Sequence, residues 1–291
     1  MKNNDVLKLC EKYGLNITNI QKADNSYNSN VYIICDNNTK YVLKITKNKK
    51  KRLNEKKYYN YLYSYLPTSK VLYSGVYKGK QYNIISYLEG KNVYDEKCNN
   101  LTKDEIFNIG KLLGKIHNCK IIDEESDSWI FYLKECLNKA FLELNELFGK
   151  ENNNYINNFL NKYIENKILN NYKNCLLHMD FRVGNIIIDE NMNAGIIDLE
   201  SMKNGEYVFD FVKINRIFNR KNFDTFLKGY KSEREIGNDF LDKLKFYSFF
   251  DSYTSLYWCY ANKQIKSDFY KLNYEIAIKF LEEIKNGKWT I

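Results

Sequence analysis

Short runs rich in apolar and β-branched residues alternate with polar turns over the first ninety positions of the chain. Four such runs predict strands, over 31–35, 41–45, 71–77 and 81–88. The first pair encloses Asp36-Asn37-Asn38, which is typical of a hairpin turn, and the second pair encloses Lys78-Gly79-Lys80. A helical stretch is expected between the two pairs, over 53–66. This portion therefore predicts a small antiparallel sheet with one helix.

From residue 102 onward the apolar spacing changes to that of helices. Thr102 precedes Glu105 by three residues, which is the signature of a helix-capping box. Apolar residues then recur at helical spacing, at Ile106, Ile109, Leu112, Leu113 and Ile116. Further helices are expected over 129–148, 155–169 and most of 209–284, with short strands over 175–180, 186–189 and 194–198. The fold class is therefore α+β, with a small sheet portion followed by a larger, mostly helical portion.

The bulk properties are those of a protein that folds around its own core. The chain has 291 residues, of which 44% are hydrophobic and 16% aromatic, and we find no internal repeat or low-complexity linker. The net charge is +9, and part of the excess lies in a basic run over 47–57. We interpret this run as a solvated turn leading into a helix, because no zinc-finger spacing or RNA-binding aromatic signature accompanies it. A nucleic-acid partner is therefore not expected.

Cysteine usage and hydropathy indicate a cytoplasmic protein. The seven cysteines are scattered and form no CxxC pair, which argues against a disulfide framework and a structural zinc site. The first residues lack the apolar core and cleavage site of a signal peptide, and no apolar run approaches the length of a membrane span. We expect no membrane partner, and both monomer and dimer stay open.

The segment that carries chemistry runs from 175 to 200. It contains His178-x-Asp180, then Asn185, then Asp198 at the end of a predicted strand. Phosphoryl transfer needs a carboxylate that orients the acceptor hydroxyl and takes its proton, and oxygen ligands that hold Mg²⁺ against the phosphates. Asp180 would be the first group, and Asn185 and Asp198 would be the metal ligands.

A lysine upstream completes this chemistry. Lys44 lies within a predicted strand, which is the context of a lysine that contacts nucleotide phosphates. Glu55, on the helix that follows, is positioned to pair with it. Lys44, Asp180, Asn185 and Asp198 occur in the order of the corresponding elements in protein kinases.

These residues resemble a known family. The segment 178–185, HMDFRVGN, looks like the HxDxxxxN motif of the aminoglycoside phosphotransferase and choline kinase superfamily. Four further segments resemble its later metal-binding block with the trailing acidic element, its nucleotide loop, its interlobe hinge and its LGxxLH helix; they lie at 195–211, 28–32, 87–90 and 113–117. The nucleotide loop departs from glycine-rich loops because 24–32 contains no Gly, and Met179 stands where the family often has a small or polar residue.

The resemblance implies a bilobal protein-kinase-like fold with a nucleotide-binding lobe over 1–88 and a catalytic, substrate-binding helical lobe over 89–291. It implies ATP or GTP with Mg²⁺, Asp180 as the catalytic residue and Asn185 and Asp198 as metal ligands. The nucleotide would be bound by phosphate-contacting Lys44, its anchor Glu55, loop residue Ser29, and hinge residues Ser86, Tyr87 and Leu88. His178, His117 and Asp210 are expected to be structural.

The substrate side is less defined. The run 246–260 is rich in aromatic residues, which could form a cage for a quaternary ammonium or simply pack as core. Candidate substrate residues are Glu200, Asp251, Tyr253 and Trp258, and Glu200 could equally bind metal through water or hold its loop. The predicted function is an ATP- or GTP-dependent O-phosphotransferase acting on a small-molecule hydroxyl, with a cationic aminoglycoside antibiotic as the first acceptor. A choline or ethanolamine kinase and a non-catalytic pseudokinase are the alternatives.

Overall fold

The computed structural model describes residues 3–23, 29–93, 100–122, 128–169 and 171–290. Its internal contacts divide the chain into two units. The first comprises Met1–Ile116, His178–Met202 and Ile217–Arg234, and the second comprises His117–Leu177, Lys203–Arg216 and Glu235–Ile291. The segment 178–202, which carries the predicted chemistry, therefore belongs to the same unit as the N-terminal sheet. A functional division at residue 88 stays a prediction.

The first unit is built on a five-stranded antiparallel sheet. Its elements are helix α1 (Asn3–Glu11), strands β1 (Ile17–Lys22), β2 (Asn30–Asp36) and β3 (Thr39–Thr46), helix α2 (Lys49–Leu62), and strands β4 (Val71–Tyr77) and β5 (Lys80–Ser86). The strand order is β1-β2-β3-β5-β4, so both predicted hairpins are confirmed. Helix α2 begins four residues before the predicted start because the Asn48 side chain accepts a hydrogen bond from Lys51 N at 3.1 Å and caps it.

The rest of the chain is mostly helical. In order the elements are β6 (Lys91–Asn92), α3 (Lys103–Asn118), α4 (Trp129–Glu143), α5 (Asn145–Phe148), α6 (Lys150–Tyr163), β7 (Asn174–Leu177), β8 (Ile186–Ile188), β9 (Ala194–Ile196), β10 (Lys203–Glu206), α7 (Phe211–Ile217), α8 (Arg220–Lys231), α9 (Phe240–Ala261) and α10 (Asp268–Lys285). Strands β6, β8 and β9 form one small antiparallel sheet, and β7 and β10 form another. Among the described residues, no helix is both long and apolar enough to cross a bilayer.

Helices α3 and α8 cross at close range within the first unit. The predicted capping box at the start of α3 is confirmed, since Thr102 N donates to Glu105 Oε2 at 2.7 Å and Glu105 N donates to Thr102 Oγ1 at 3.2 Å. A Cβ on Gly229 would lie 1.9 Å from Phe107 O, so only glycine permits this approach. The crossing matters for the site because Phe226 of α8 packs against Phe181, which lies in the segment of predicted chemistry.

The second unit has an aromatic core. Helix α9 runs through the aromatic-rich segment, and Tyr247, Phe249, Phe250 and Tyr253 are at most 1% exposed. The Trp129 indole donates to Tyr247 Oη at 2.9 Å, so this polar atom is satisfied inside the core. Core packing was one of the two interpretations of the aromatic run, and it accounts for these four rings.

The thiol of Cys10 makes the first unit sensitive to alkaline pH. Cys10 has no exposed surface and belongs to the apolar core of α1 and the sheet. Burial, and then the charge of Glu11, raise the pKa of this thiol from 9.0 to about 11. The folded protein keeps a proton that the unfolded chain loses, so this stabilisation is complete below pH 9.0 and disappears as pH rises to about 11.

Between those pH values we expect wild type to lose up to about 2 kcal/mol more stability than Cys10→Ala. Urea unfolding of both proteins at a series of pH values measures this difference. Parallel pH profiles for the two proteins would contradict the assignment.

Candidate active site

A buried lysine surrounded by three carboxylates forms the centre of the site. Lys44 on β3 is 8% exposed, and its Nζ lies 2.9 Å from Glu55 Oε1, 2.5 Å from Asp198 Oδ1 and 2.8 Å from Glu200 Oε2. The sequence analysis selected all four residues, and the structure brings them together within the first unit. The three carboxylates pair with the buried Lys44 ammonium and hold it in a position from which it can contact an anionic ligand.

Glu55 has a second partner that the sequence analysis missed. Its other oxygen accepts from Asn83 Nδ2 at 2.8 Å, and the carboxylate is 2% exposed. Asn83 lies on β5 directly opposite Lys44 of β3, so sheet register delivers both groups to the same carboxylate. The buried charge is therefore both paired and hydrogen-bonded, as a buried carboxylate must be.

The protonation states of this cluster follow from burial and from mutual charge. Burial opposes the charged form of Lys44, but the carboxylates of Glu55, Asp198 and Glu200 outweigh it and hold the lysine pKa well above its ordinary value. Burial likewise acts to raise the pKa of Asp198, and the ammonium of Lys44 reverses this, leaving the pKa lowered. Burial raises the pKa of Glu55 although Lys44 and Asn83 work against it. Lys44 and Asp198 therefore stay ionised at neutral pH.

The segment 178–185 forms a tight loop around the predicted base. Asn185 Nδ2 donates to both Asp180 Oδ2 and Asp180 O at 2.9 Å, which fixes the carboxylate. Asp180 N donates to His178 Nδ1 at 3.2 Å, so the imidazole proton is on Nε2 and is donated to Ile197 O at 3.0 Å. His178 thus ties the loop to the strand end that leads to Asp198, in agreement with its predicted structural role.

The backbone couples the two predicted metal ligands. Ile197 N donates to Asn185 O at 3.0 Å, which places Asp198 immediately after a residue bonded to Asn185. The Asp180 charge also acts to raise the pKa of Asp198, a sign that the two carboxylates are neighbours. The three oxygen-bearing side chains at 180, 185 and 198 therefore lie in one constellation.

Arg182 is a second cation beside the predicted base, and the sequence analysis did not select it. Its Nε lies 3.6 Å from Asp180 Oδ2, and both side chains are about one-third exposed, at 34% and 30%. Because this pair is accessible to solvent, a ligand could contact either member. The signal that could have found Arg182 was its position in the motif, two residues after Asp180.

Two residues of the site have left-handed backbone conformations. Met179 has φ 70° and Asp198 has φ 64°, and neither is glycine. Such conformations cost free energy for residues with a Cβ and persist where surrounding contacts enforce them. The departure noted at position 179 thus affects the backbone, because glycine, or a short polar residue such as Asn or Asp, suits this conformation better than Met.

Replacing Met179 by Gly is expected to stabilise the protein by at most about 1 kcal/mol. Relief of the left-handed backbone, about 1–2 kcal/mol, exceeds the entropy that Gly adds to the unfolded chain, about 0.5–1 kcal/mol. Met179→Val should instead destabilise by about 1 kcal/mol or more, because a β-branched residue is a strong outlier there. Thermal unfolding of the three proteins tests the order, and a Val variant more stable than the Gly variant would contradict it.

Ser86 is the last residue of β5, Tyr87 and Leu88 follow the strand, and all three predicted hinge residues are half-buried. Ser86 exchanges hydrogen bonds with Lys70, since Ser86 N donates to Lys70 O and Lys70 N donates to Ser86 Oγ, both at 2.9 Å. The side chain of Leu88 packs at Gly195, where an added Cβ would lie 2.9 Å from Leu88 Cδ2. The backbone N–H of Ser86 is thus bonded to Lys70, and purine binding by these three hinge residues stays a prediction. Half-buried Ser29 precedes β2, and the rest of the predicted loop, 24–28, lies outside the described residues.

Lys51 belongs to the site, and this corrects the interpretation of the basic run. Its Nζ lies 2.7 Å from Glu200 Oε1, so Glu200 bridges Lys44 and Lys51. Arg52 in the same run donates to Gln81 Oε1 at 2.9 Å. Helical spacing was the signal that could have found Lys51, because positions 51 and 55 share one face of α2. Three roles were considered for Glu200: substrate binding, metal binding through water and holding its loop. These contacts favour the last of them.

Two predicted substrate residues of the second unit are committed to internal partners. Tyr253 has no exposed surface and its hydroxyl donates to Asn153 Oδ1 at 2.5 Å, so it packs as core and its surroundings do not support the substrate role expected of it. Asp251 is 8% exposed and lies 2.7 Å from Arg216 Nη1, which supplies the cation that a substrate was expected to provide. Trp258 is half-buried, with its ring edge-on to Phe269.

In the same unit, His117 and Asp210 are buried and 3.2 Å apart, which fits the structural roles predicted for them.

The donor set suits a hard divalent cation. One carboxylate oxygen from each of Glu55, Asp198 and Glu200 lies within 4.8 Å of the other two, and the Lys44 ammonium lies among them. The side-chain oxygen of Asn185 is a further oxygen donor in the same unit. Carboxylate and amide oxygens are the protein ligands that Mg²⁺ prefers.

Comparisons with known proteins agree with this geometry. The profile of a family described as "Phosphotransferase enzyme family" matches residues 20–246, which include every site residue of the first unit described above. No curated protein matches the sequence.

Three solved structures are similar along nearly the whole chain. A GDP complex of an aminoglycoside 2′-phosphotransferase-IIIa mutant has a TM-score of 0.73 at 14% identity, over 99% of this chain and 98% of that one. The gentamicin complex of APH(2″)-IIa has a TM-score of 0.70 at 19% identity, over 97% and 95%. Spectinomycin phosphotransferase with ADP and spectinomycin has 0.66 at 14%, over 95% and 93%. The likeness shows a shared fold and confirms the predicted fold class.

Proposed function

Because the chain belongs to the phosphotransferase enzyme family, we propose that it transfers the γ-phosphate of ATP or GTP to a hydroxyl of an aminoglycoside. One observation carries the proposal. Lys44, the buried lysine of β3, contacts Glu55 and Asp198 at 2.9 and 2.5 Å, while Asn185 holds Asp180 at 2.9 Å in the same unit. Phosphate-binding lysine, its anchor, metal ligands and base thus occur together.

Asp180 is the proposed base. The acceptor oxygen forms a bond to the γ-phosphorus, the bond from that phosphorus to the β–γ bridging oxygen breaks, and the hydroxyl proton passes to the Asp180 carboxylate. The hydrogen bond from Asn185 at 2.9 Å orients that carboxylate, and the guanidinium of Arg182 lies 3.6 Å from it. The products are a phosphorylated acceptor and a nucleoside diphosphate.

Lys44 donates to phosphate oxygens while Glu55 and Glu200 keep its ammonium in place. Asn185 and Asp198 are the residues that would hold Mg²⁺, which when bound neutralises phosphate charge. The purine meets the backbone of Tyr87 and Leu88. This division of roles needs no glycine-rich loop, because the phosphate contact begins from a lysine inside a strand.

The acceptor class is supported by the relatives. Two of the three solved structures named above contain gentamicin or spectinomycin, and the third is the GDP complex of an aminoglycoside phosphotransferase. The choline alternative depended on an aromatic cage, and the four deeply buried rings of α9 are already packed as core. An aminoglycoside is therefore the first acceptor to test, and an antibiotic-resistance role in the cytoplasm is part of the proposal.

The test is a panel of acceptors assayed with each donor. Purified protein with Mg²⁺ and either ATP or GTP is mixed with aminoglycosides, macrolides, choline, ethanolamine or simple sugars, and nucleoside diphosphate release is measured. We expect acceptor-dependent release with at least one aminoglycoside. Release with choline alone would replace the acceptor class, and nucleotide binding without any turnover would favour the pseudokinase alternative.

A further inference from the structure

One face of helix α2 binds the backbone of the segment that carries Asp198. The hydroxyl of Tyr59 accepts a hydrogen bond from Asp198 N at 3.0 Å. Asn54 Nδ2 donates to Glu200 O at 2.9 Å and to Met202 O at 3.0 Å. Two neutral side chains of one helix thus hold the backbone on both sides of the short turn over 199–201.

These contacts occur where the backbone most needs them. Asp198 is in the left-handed region, with φ 64° and ψ 57°. A residue with a Cβ keeps this conformation only when its surroundings enforce it. Tyr59 is 3% exposed and Asn54 is half-buried, so both reach this segment from the packed side of α2. The direction of the Asp198 carboxylate therefore depends on α2 as well as on its own strand.

The same helix carries Glu55, the anchor of Lys44. Positions 51, 55 and 59 are four residues apart and share one face, and Asn54 borders it. Lys51 contacts Glu200 at 2.7 Å and Glu55 contacts Lys44 at 2.9 Å. One rigid helix thus supports both the phosphate lysine and the metal carboxylate.

Resting on the proposed function, we infer that Asn54 and Tyr59 are positioning residues that hold Asp198 for the divalent cation. They act through the backbone of 198–202, which forms the hydrogen bonds described for both side chains. Groups that orient a metal ligand in this way typically change metal affinity by about 10- to 100-fold when removed. Loss of either side chain should therefore weaken the response to Mg²⁺ while the nucleotide contacts of Lys44 and the hinge persist.

The readout is the gain in ADP affinity that Mg²⁺ produces. Calorimetry gives the Kd for ADP with excess Mg²⁺ and with EDTA, and the ratio of the two is the Mg²⁺ enhancement. For Asn54→Ala we expect an enhancement about tenfold smaller than in wild type, with the Kd in EDTA unchanged. Asn60→Ala is the matched control, because Asn60 is an exposed asparagine on the same helix. It should keep the wild-type enhancement.

Tyr59→Phe provides an independent variant that keeps the buried ring. It removes the acceptor for Asp198 N alone, and the expected loss of enhancement is again about tenfold. Tyr58→Phe is its control, because Tyr58 is a neighbouring tyrosine with 1% exposure on the same helix. Thermal unfolding of all four variants establishes that they are folded.

The outcomes separate this inference from the proposed function. Loss of enhancement in Asn54→Ala or Tyr59→Phe, with both controls normal, supports it. A folded Tyr59→Phe and a folded Asn54→Ala that both keep the wild-type enhancement would overturn it while leaving the kinase proposal standing. A wild-type protein that binds no ADP, or binds it without any Mg²⁺ effect, would overturn the proposed function and this inference with it.

Discussion

Asp180→Asn is expected to lower kcat by about a thousandfold. Asparagine has the shape of aspartate and its oxygen can still accept the hydrogen bond from Asn185, which is 2.9 Å long in the wild type. It cannot take up the acceptor proton, so the chemical step loses its base while the loop keeps its geometry. The measurement is nucleoside diphosphate release at saturating donor and acceptor.

Two comparisons make the Asp180 result interpretable. Asp104→Asn alters an exposed aspartate in the first turn of α3 and should have wild-type activity. The affinity of Asp180→Asn for nucleotide should also match wild type, because the proposed phosphate contact lies at Lys44. Activity of the Asp180 variant within tenfold of wild type would refute the assignment of the base.

Asp198→Asn should lower Mg²⁺-dependent turnover by about a thousandfold, since several kcal/mol of transition-state stabilisation depend on the metal. Asn is a better probe than Ala because it tolerates the left-handed backbone at this position, where φ is 64°. The fold should survive, because Lys44 keeps Glu55 and Glu200 as partners at 2.9 and 2.8 Å.

A titration of activity with Mg²⁺ tests this second prediction. The variant should stay inactive at concentrations that saturate wild type, and its thermal unfolding should differ little from wild type. Turnover that returns fully at ordinary Mg²⁺ concentration would show that another group holds the cation. In that case Glu200, whose oxygens lie within 4.8 Å of those of Asp198, becomes the first replacement.

Local sequence patterns predicted those features of the protein that depend on residues close together in the chain. The hairpin of β2 and β3, the capping box at Thr102 and the spacing of Asp180, Asn185 and Asp198 all depend on neighbours within a few residues or on a short motif. Such features are readable because backbone propensity and motif spacing act locally. Glu55 could also be predicted from the sequence, because Lys44 lies on one strand and the helix that follows offers few acidic residues to pair with it.

The contacts around those residues were decided by tertiary structure. Asn83 reaches Glu55 only because the register of β5 against β3 places it opposite Lys44. Asn54 lies 146 and 148 positions along the chain from the two carbonyl groups that it holds, and Tyr59 lies 139 positions from Asp198. No local pattern specifies such partners, because they are set by how separate elements pack.

The charged and aromatic residues show the same difference between what the sequence predicts and what the tertiary structure decides. The sequence determined that 246–260 would be rich in aromatic rings and that 47–57 would be rich in basic residues, but the surroundings of these residues decided their roles. Tyr253 became core and Lys51 became an ion-pair partner of Glu200, 2.7 Å away. The residue type fixes the chemistry of a side chain. Whether that side chain can still bind a ligand depends on the hydrogen-bond and charge partners that it already has in the fold, and these are set by packing.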